Sequence, residues 1–127
     1  MELGLALPNF GKYADRDFIG EFSVAAEELG YKSLWTSEHI VIPESRKSGF
    51  GNLFYDPLVT LSYVAALTRG VSLGTSVLVL PYRNPVVLAK MTATLDELSD
   101  GRLILGVGAG WLKDEFTALG ADFVNRG

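Results

Sequence analysis

Cysteine is absent from all 127 residues, and histidine occurs once, at position 39. Without cysteine there is no disulfide framework, no thiolate nucleophile and no Cys-ligated metal. A single histidine leaves only carboxylates as further metal ligands, so no metal site is expected. Positive charge is sparse as well: 11 Lys and Arg stand against 15 Asp and Glu, for a net charge of −4. With no basic run among them, no nucleic-acid surface is expected. No stretch approaches the roughly 18 apolar residues of a spanning helix, so no membrane partner is expected. Glu2 follows Met1 at once, and Leu3 to Leu7 is too short for a signal core. The expected location is the cytoplasm.

What the chain does have is apolar residues, at 48%, and 14 glycines, about one in nine against a usual ~7%. That mixture suits buried parallel strands joined by tight loops, in one domain with a moderate core. Leu3 to Pro8 reads as a first strand. Asp15 or Asp17 can cap a helix with Phe18, Phe22, Ala25 and Leu29 at helical spacing, and Gly30 ends it. Ser33 to Thr36 is the second strand, with Ser37-Glu-His39 at its C-terminal end. From Ile40 to Tyr55 the periodicity fails, and Pro43, Ser45, Ser48, Gly49, Gly51 and Asn52 mark a long loop of the kind used for binding or as a lid.

Asp56-Pro57 opens a second helix to about Thr68, with Leu58, Leu61 and Ala65 inward. Val71 to Val79 is the third strand. Asn84-Pro85 caps a third helix to Leu98, with Leu88, Met91, Leu95 and Leu98 on one stripe, leaving Tyr82 and Arg83 on a short β-to-α loop. Gly101 ends that helix, Arg102 to Val107 is the fourth strand, and Trp111 to Leu119 is a short helix.

Four β-α units in a row predict an α/β fold with a parallel sheet in strand order 1-2-3-4. Two closures fit this pattern. A doubly wound sheet usually carries a glycine-rich phosphate turn after strand one, but here that turn is Pro8-Asn-Phe-Gly11, with one glycine. A (β/α)8 barrel takes around 250 residues, of which this chain supplies about half. Half a barrel exposes two sheet edges and one sheet face, so either a homo-oligomer or a missing C-terminal half is expected to cover them.

Four blocks bear on that choice: Gly4-Leu-Ala-Leu-Pro-Asn-Phe-Gly11, Gly30-Tyr-Lys-Ser-Leu-Trp-Thr-Ser-Glu-His39, Leu73 through Asp100 around Arg83-Asn-Pro85, and Gly101-Arg-Leu-Ile-Leu-Gly-Val-Gly-Ala-Gly-Trp111. In this order and spacing the chain resembles the bacterial-luciferase-like flavin oxidoreductases, a TIM-barrel superfamily, and most of all the branch that uses the deazaflavin F420. The resemblance runs from Leu3 to Gly127. It implies that residues 1–127 are the N-terminal half of such a barrel, and that the full-length protein is an oxidoreductase passing hydride between F420 and a small organic substrate. An FMN-dependent monooxygenase and an inactive, self-associating half-barrel are the alternatives. Since cofactor phosphate in such barrels is usually held by loops after strands seven and eight, the 127-residue chain alone is expected to be inactive.

The same resemblance implies site residues. His39 falls beside the flavin ring and substrate, as a proton donor or hydrogen-bonding group, and an imidazole suits either role near neutral pH. Glu38 can orient His39 or form an ion pair at the barrel rim. Ser76-Val77 matches a bulge with a non-prolyl cis peptide that props the central ring, and Thr75 can offer its hydroxyl to the ring or to the backbone. Arg83 is a candidate partner for a cofactor or substrate anion. Gly106, Gly108 and Gly110 alternate, so either a flat ring or another strand can approach them closely. Trp111 is either an aromatic wall for the pocket or a core plug for the following helix, with the core favoured, and Trp35 is read as sheet-to-helix packing. Glu115 and Asp96 are read as surface or rim carboxylates.

Overall fold

A computed structural model describes residues 1–51 and 53–127, without the side chains of Ser45, Ser48 and Phe50; Asn52, expected in the long loop, lies outside the described residues. Six short strands run as β1 (Gly4–Ala6), β2 (Ser33–Thr36), β3 (Ser72–Thr75), β4 (Leu78–Val79), β5 (Leu103–Ile104) and β6 (Val107–Gly108). Between and after them lie α1 (Arg16–Glu28), α2 (Lys47–Phe50), α3 (Pro57–Leu67), α4 (Pro85–Leu98) and α5 (Lys113–Leu119). The main sheet is wholly parallel in the order β1-β2-β3-β5, as expected, and β4 pairs with β6 in a parallel extension. This is the architecture of the N-terminal half of a (β/α)8 barrel.

The third and fourth predicted strands are each broken in two. The break in the third is the Ser76–Val77 peptide, which is cis. Up to Thr75 the chain pairs with β2 and β5, and from Leu78 it pairs with β6.

Capping follows the sequence. Asp15 accepts hydrogen bonds from the N–H groups of Asp17 and Phe18, Asp56 from Leu58 and Val59, and Asn84 from Val86 and Val87. These satisfy amides that have no partner within the first turn of a helix. The long loop is more ordered than its composition suggests, since a 3-10 turn at Glu44–Arg46 leads into α2, where Lys47 pairs with Glu44.

Leu34 and Leu73 are fully buried and pack with Leu7 against Ile19, Leu61, Val64, Leu88 and Leu95 of the helices. Alternation along each strand sends Trp35 and Gly74 to the opposite face. Trp35 therefore does not pack against helices, contrary to the reading from sequence. Its indole lies over Gly74, where a Cβ would overlap the ring, and its Nε1 donates to the Ser33 hydroxyl at 2.8 Å.

Two helix stripes also differ from expectation. In α1 the buried residues are Ile19, Gly20, Ser23 and Ala26, whereas Phe18 and Leu29 are exposed. Phe18 stacks instead on Tyr13 and Phe22, and Gly20 lets α1 approach Tyr63 of α3. In α4 only Leu88 and Leu95 are buried; Met91 and Leu98 face an outer groove of about 470 Å³ shared with α3.

Candidate functional site

The C-terminal ends of the strands, where barrels place their chemistry, surround a pocket of about 410 Å³. That lies within the roughly 300–1,000 Å³ usual for small-molecule sites. Phe10, Phe54 and Trp111 form aromatic walls, Ser76, Val77 and Gly110 contribute the strand side, and His39 lies among them. The His39 ring meets Phe54 and Trp111 edge-on, with centroids 5.4 Å and 6.0 Å away, and Phe10 stacks on Phe54 at 4.8 Å.

Asn9, fully buried, ties this end together. Its amide donates to the carbonyls of Ser37 and Tyr55 and its oxygen accepts from Ser37 N–H, joining the end of β1 to the end of β2 and to the long loop.

Glu38 and His39 are neighbours on an extended segment, and their side chains have separate partners. Glu38 is buried, with Oε2 accepting from the N–H of Val79 at 2.5 Å and Oε1 accepting from the Arg83 guanidinium. Arg83 also donates to Asp56 Oδ2 at 2.6 Å. Burial alone would lower the Arg83 pKa, but its hydrogen bonds to Asp56 and Glu38 outweigh that and keep it charged. Of the two roles open to Glu38, the geometry shows the ion pair; Arg83, a candidate partner for an anion, is a buried tie between β2, β4 and α3.

The group that holds His39 is Glu115. Only 1% exposed, it accepts from His39 Nδ1 at 2.6 Å and from the Tyr82 hydroxyl at 3.1 Å on Oε2. Its Oε1 accepts from the N–H groups of Ile40 and Val41 at 2.8 Å and 3.0 Å. Burial pushes the Tyr82 pKa up, and the adjacent Glu115 carboxylate adds to the effect. The reading of Glu115 as a rim carboxylate is thus corrected. Phe116 beside it is fully buried against Tyr82 and Phe123, which draws α5 across the strand ends and Glu115 under His39. The sequence signal for this is the Glu-Phe pair in a short helix directly after a glycine run. Of the two readings of Trp111 the favoured one is corrected: 55% exposed, it is the pocket wall, carrying Arg46 over its ring, and not the core plug.

Of the residues expected at a cofactor, the pocket brings together His39, Glu38, Ser76, Val77 and Gly110. Thr75, Arg83, Gly106 and Gly108 lie outside its lining. Thr75 is fully buried, and its hydroxyl donates to the Gly106 carbonyl at 2.8 Å. What approaches the glycines is another strand. A Cβ on Gly106 would overlap the Thr75 carbonyl, one on Gly108 would lie 2.7 Å from Val77, and one on Gly110 2.7 Å from Val79. Asp96 accepts from Leu103 N–H, at the opposite end of β5.

Aromatic walls and an apolar Val77 that is 41% exposed leave room for a flat ring, beside the polar side chains of Ser37, His39, Ser76 and Tyr82. A family model described as luciferase-like monooxygenase matches residues 1–127. The F420-dependent glucose-6-phosphate dehydrogenase of Amycolatopsis mediterranei is 38% identical over 113 residues, covering 88% of this chain and 32% of that protein. The 4-hydroxyprotoasukamycin monooxygenase of Streptomyces nodosus is 36% identical over 96 residues, covering 76% of this chain and 24% of that protein. In structure, the monooxygenase RslO1 of Streptomyces bottropensis superposes with a TM-score of 0.79 at 32% identity, over 99% of this chain and 38% of that one. The chain thus spans about a third of the length of the proteins it matches. From its first strand to its last helix, this chain belongs to the luciferase-like monooxygenase family.

Proposed function

We propose that residues 1–127 supply the ring-binding half of the site in a flavin- or F420-linked oxidoreductase, with F420 as the cofactor and a small organic molecule as the substrate. One observation carries the reading: the sole histidine is held by a buried carboxylate inside an aromatic-walled pocket at the strand ends. F420 bound there would supply hydride transfer, chemistry that belongs to the cofactor rather than to side chains. In this reading Val77 and Ser76 seat one face of the ring, Phe10, Phe54 and Trp111 exclude water, and His39 holds or moves a proton beside the substrate. Arg83 is engaged by Glu38 and Asp56, so the phosphate-bearing tail takes its anchor elsewhere.

F420 is favoured by the similarity to F420-dependent glucose-6-phosphate dehydrogenases, which reaches 44% identity in the Kineococcus radiotolerans protein. FMN with a monooxygenase reaction is the second reading, favoured by the similarity to 4-hydroxyprotoasukamycin monooxygenase and RslO1. Titrating the full-length protein with each cofactor, followed by fluorescence and absorbance, separates the two. Micromolar binding of F420 with none of FMN is expected. The reverse establishes the second reading, and no binding of either overturns both.

A further inference from the structure

Between Pro57 and Leu67, α3 has no charged residue. A helix that is apolar on every side is one that is covered on every side, since a solvent-facing stripe normally carries charged or polar groups. Leu58, Leu61 and Val64 of α3 do reach the core, but Val59, Ser62, Tyr63, Ala66 and Leu67 are exposed, Val59 by 63%. The polar atoms on this outer face are already engaged. The Ser62 hydroxyl donates to the Leu58 carbonyl of its own helix, and the Tyr63 hydroxyl donates to the Arg16 carbonyl of α1. What α3 turns outward is therefore apolar surface whose few polar groups have partners at home.

α3 lies between α1 and α4, with a groove on either side. Asp17, Glu21 and Glu28 line the groove towards α1. Arg69 and Lys90 line the groove towards α4, where Met91 and Leu98 add apolar surface. Asp17 pairs with Arg16, but the side chains of Glu21, Glu28, Arg69 and Lys90 form no ion pair among the described residues. The two sets also match in height. The strands are parallel, so the helices all run back in one direction. Glu21 is the sixth residue of α1 and Lys90 the sixth of α4, each about 8 Å from the start of its helix. Glu28 ends α1, and Arg69 comes just after α3 ends.

We propose that the outer face of α3, with these two grooves, is the contact between two copies of the full-length protein, related by a two-fold axis that runs along α3. That axis lays α3 on its own copy, apolar face to apolar face, and turns the acidic groove of each protomer onto the basic groove of the other at the same height. Glu21 then meets the partner's Lys90, and Glu28 meets the partner's Arg69. An axis across α3 would instead set α1 against α1, acid against acid, and like charges set against each other in an interface are strongly disfavoured. Further strands of a barrel do not supply this cover. They join at the free edges of β1 and β5, whereas α3 lies over the middle of the sheet, against β2 and β3.

Light scattering of the full-length protein over a dilution series tests this, with a dimer expected at micromolar concentration. Ala66→Arg puts a charge in the middle of the apolar face without touching the core, and is expected to give a monomer with the circular dichroism of wild type. Lys90→Glu is expected to raise the dimer dissociation constant by about tenfold or more. Adding Glu21→Lys to it is expected to restore association to within about threefold of wild type, because the swapped pair attracts again. A monomeric wild type overturns the proposal and assigns α3 a cover within its own chain. A dimer that survives Ala66→Arg in folded protein places the contact elsewhere and overturns it as well. A charge swap that fails to restore association overturns the axis. If Ala66→Arg does not fold, Ser62→Lys on the same face is read in its place, and if neither folds the charge swap decides.

Discussion

Replacing His39 by Ala in the full-length enzyme should lower turnover by roughly a hundredfold, the usual scale for a lost proton-transfer group. Stability should change less, because the ring contacts it loses lie in an open pocket. Steady-state kinetics beside a thermal melt checks this; unchanged turnover with a lowered melting temperature would assign His39 to structure. Arg83 invites the opposite expectation. Its side chain is 14% exposed and the Glu38 side chain 0%, so Arg83→Met leaves a carboxylate buried without its cation. Breaking such a pair costs about 3–5 kcal/mol, and urea denaturation should show a loss of that size. Loss of cofactor affinity with stability intact would restore Arg83 as an anion ligand. That His39 and Arg83 lie just past strand ends was legible in the sequence, but their partners were not. Glu115 lies 76 positions from His39, and spacing along the chain carries no information on which helix crosses over which strand end.

At the scale of elements, three glycines and one carboxylate hold strand ends in register. Gly106, Gly108 and Gly110 mesh with Thr75, Val77 and Val79, an alternation that the sequence shows on one strand but cannot match to its partner. Gly106→Ala forces a methyl onto a backbone carbonyl and should destabilise by about 1–3 kcal/mol. Gly49→Ala, with nothing within 4 Å among the described residues, should cost less than about 0.5 kcal/mol. Equal effects in denaturant titrations would show that β5 and β6 can shift to make room.

At the other end of the sheet Glu27 accepts from the N–H groups of Arg69, Gly70 and Val71 at 2.9, 2.6 and 2.9 Å. Burial there favours the neutral acid, but these N–H groups together with Arg102 outweigh it and hold the Glu27 pKa below the ordinary value. Its stabilising effect is therefore full above the unfolded glutamate range, near ~4.3, and is lost as pH falls through the lower folded value. Glu27→Gln should flatten the stability profile between about pH 5 and pH 3. A mutant profile parallel to wild type in that window would rule the contribution out. The misplaced stripe of α1 belongs to this scale as well: Phe18 and Leu29 have helical spacing, but the helix turns Ile19, Ser23 and Ala26 inward because Gly20 has to meet Tyr63.

For the whole molecule, the helices cover one face of the sheet and leave the other, with Ala6, Trp35 and Ile104, open. Ile104 and Val77 are 42% and 41% exposed, and β1 and β5 each present an unpaired edge. Surfaces of this kind tend to associate. The 127-residue chain expressed by itself should self-associate and bind F420 or FMN weakly at best. Light scattering with a cofactor titration tests this, and a stable monomer with micromolar affinity would contradict it. Among the described residues no helix is long and apolar enough to cross a membrane.

The sequence by itself determined the order of the elements, the parallel sheet and the helix starts at Asp56 and Asn84, and narrowed the first to Asp15 or Asp17, because these depend on periodicity and caps within a few residues. Only the tertiary structure decided that Glu115 serves His39, that Glu38 serves Arg83, and that Thr75, Val77 and Val79 lie against the glycine track. These are contacts between residues distant along the chain, chosen by how Phe116 and the leucines of the core pack, and a buried carboxylate pairs with whichever donors that packing brings within reach.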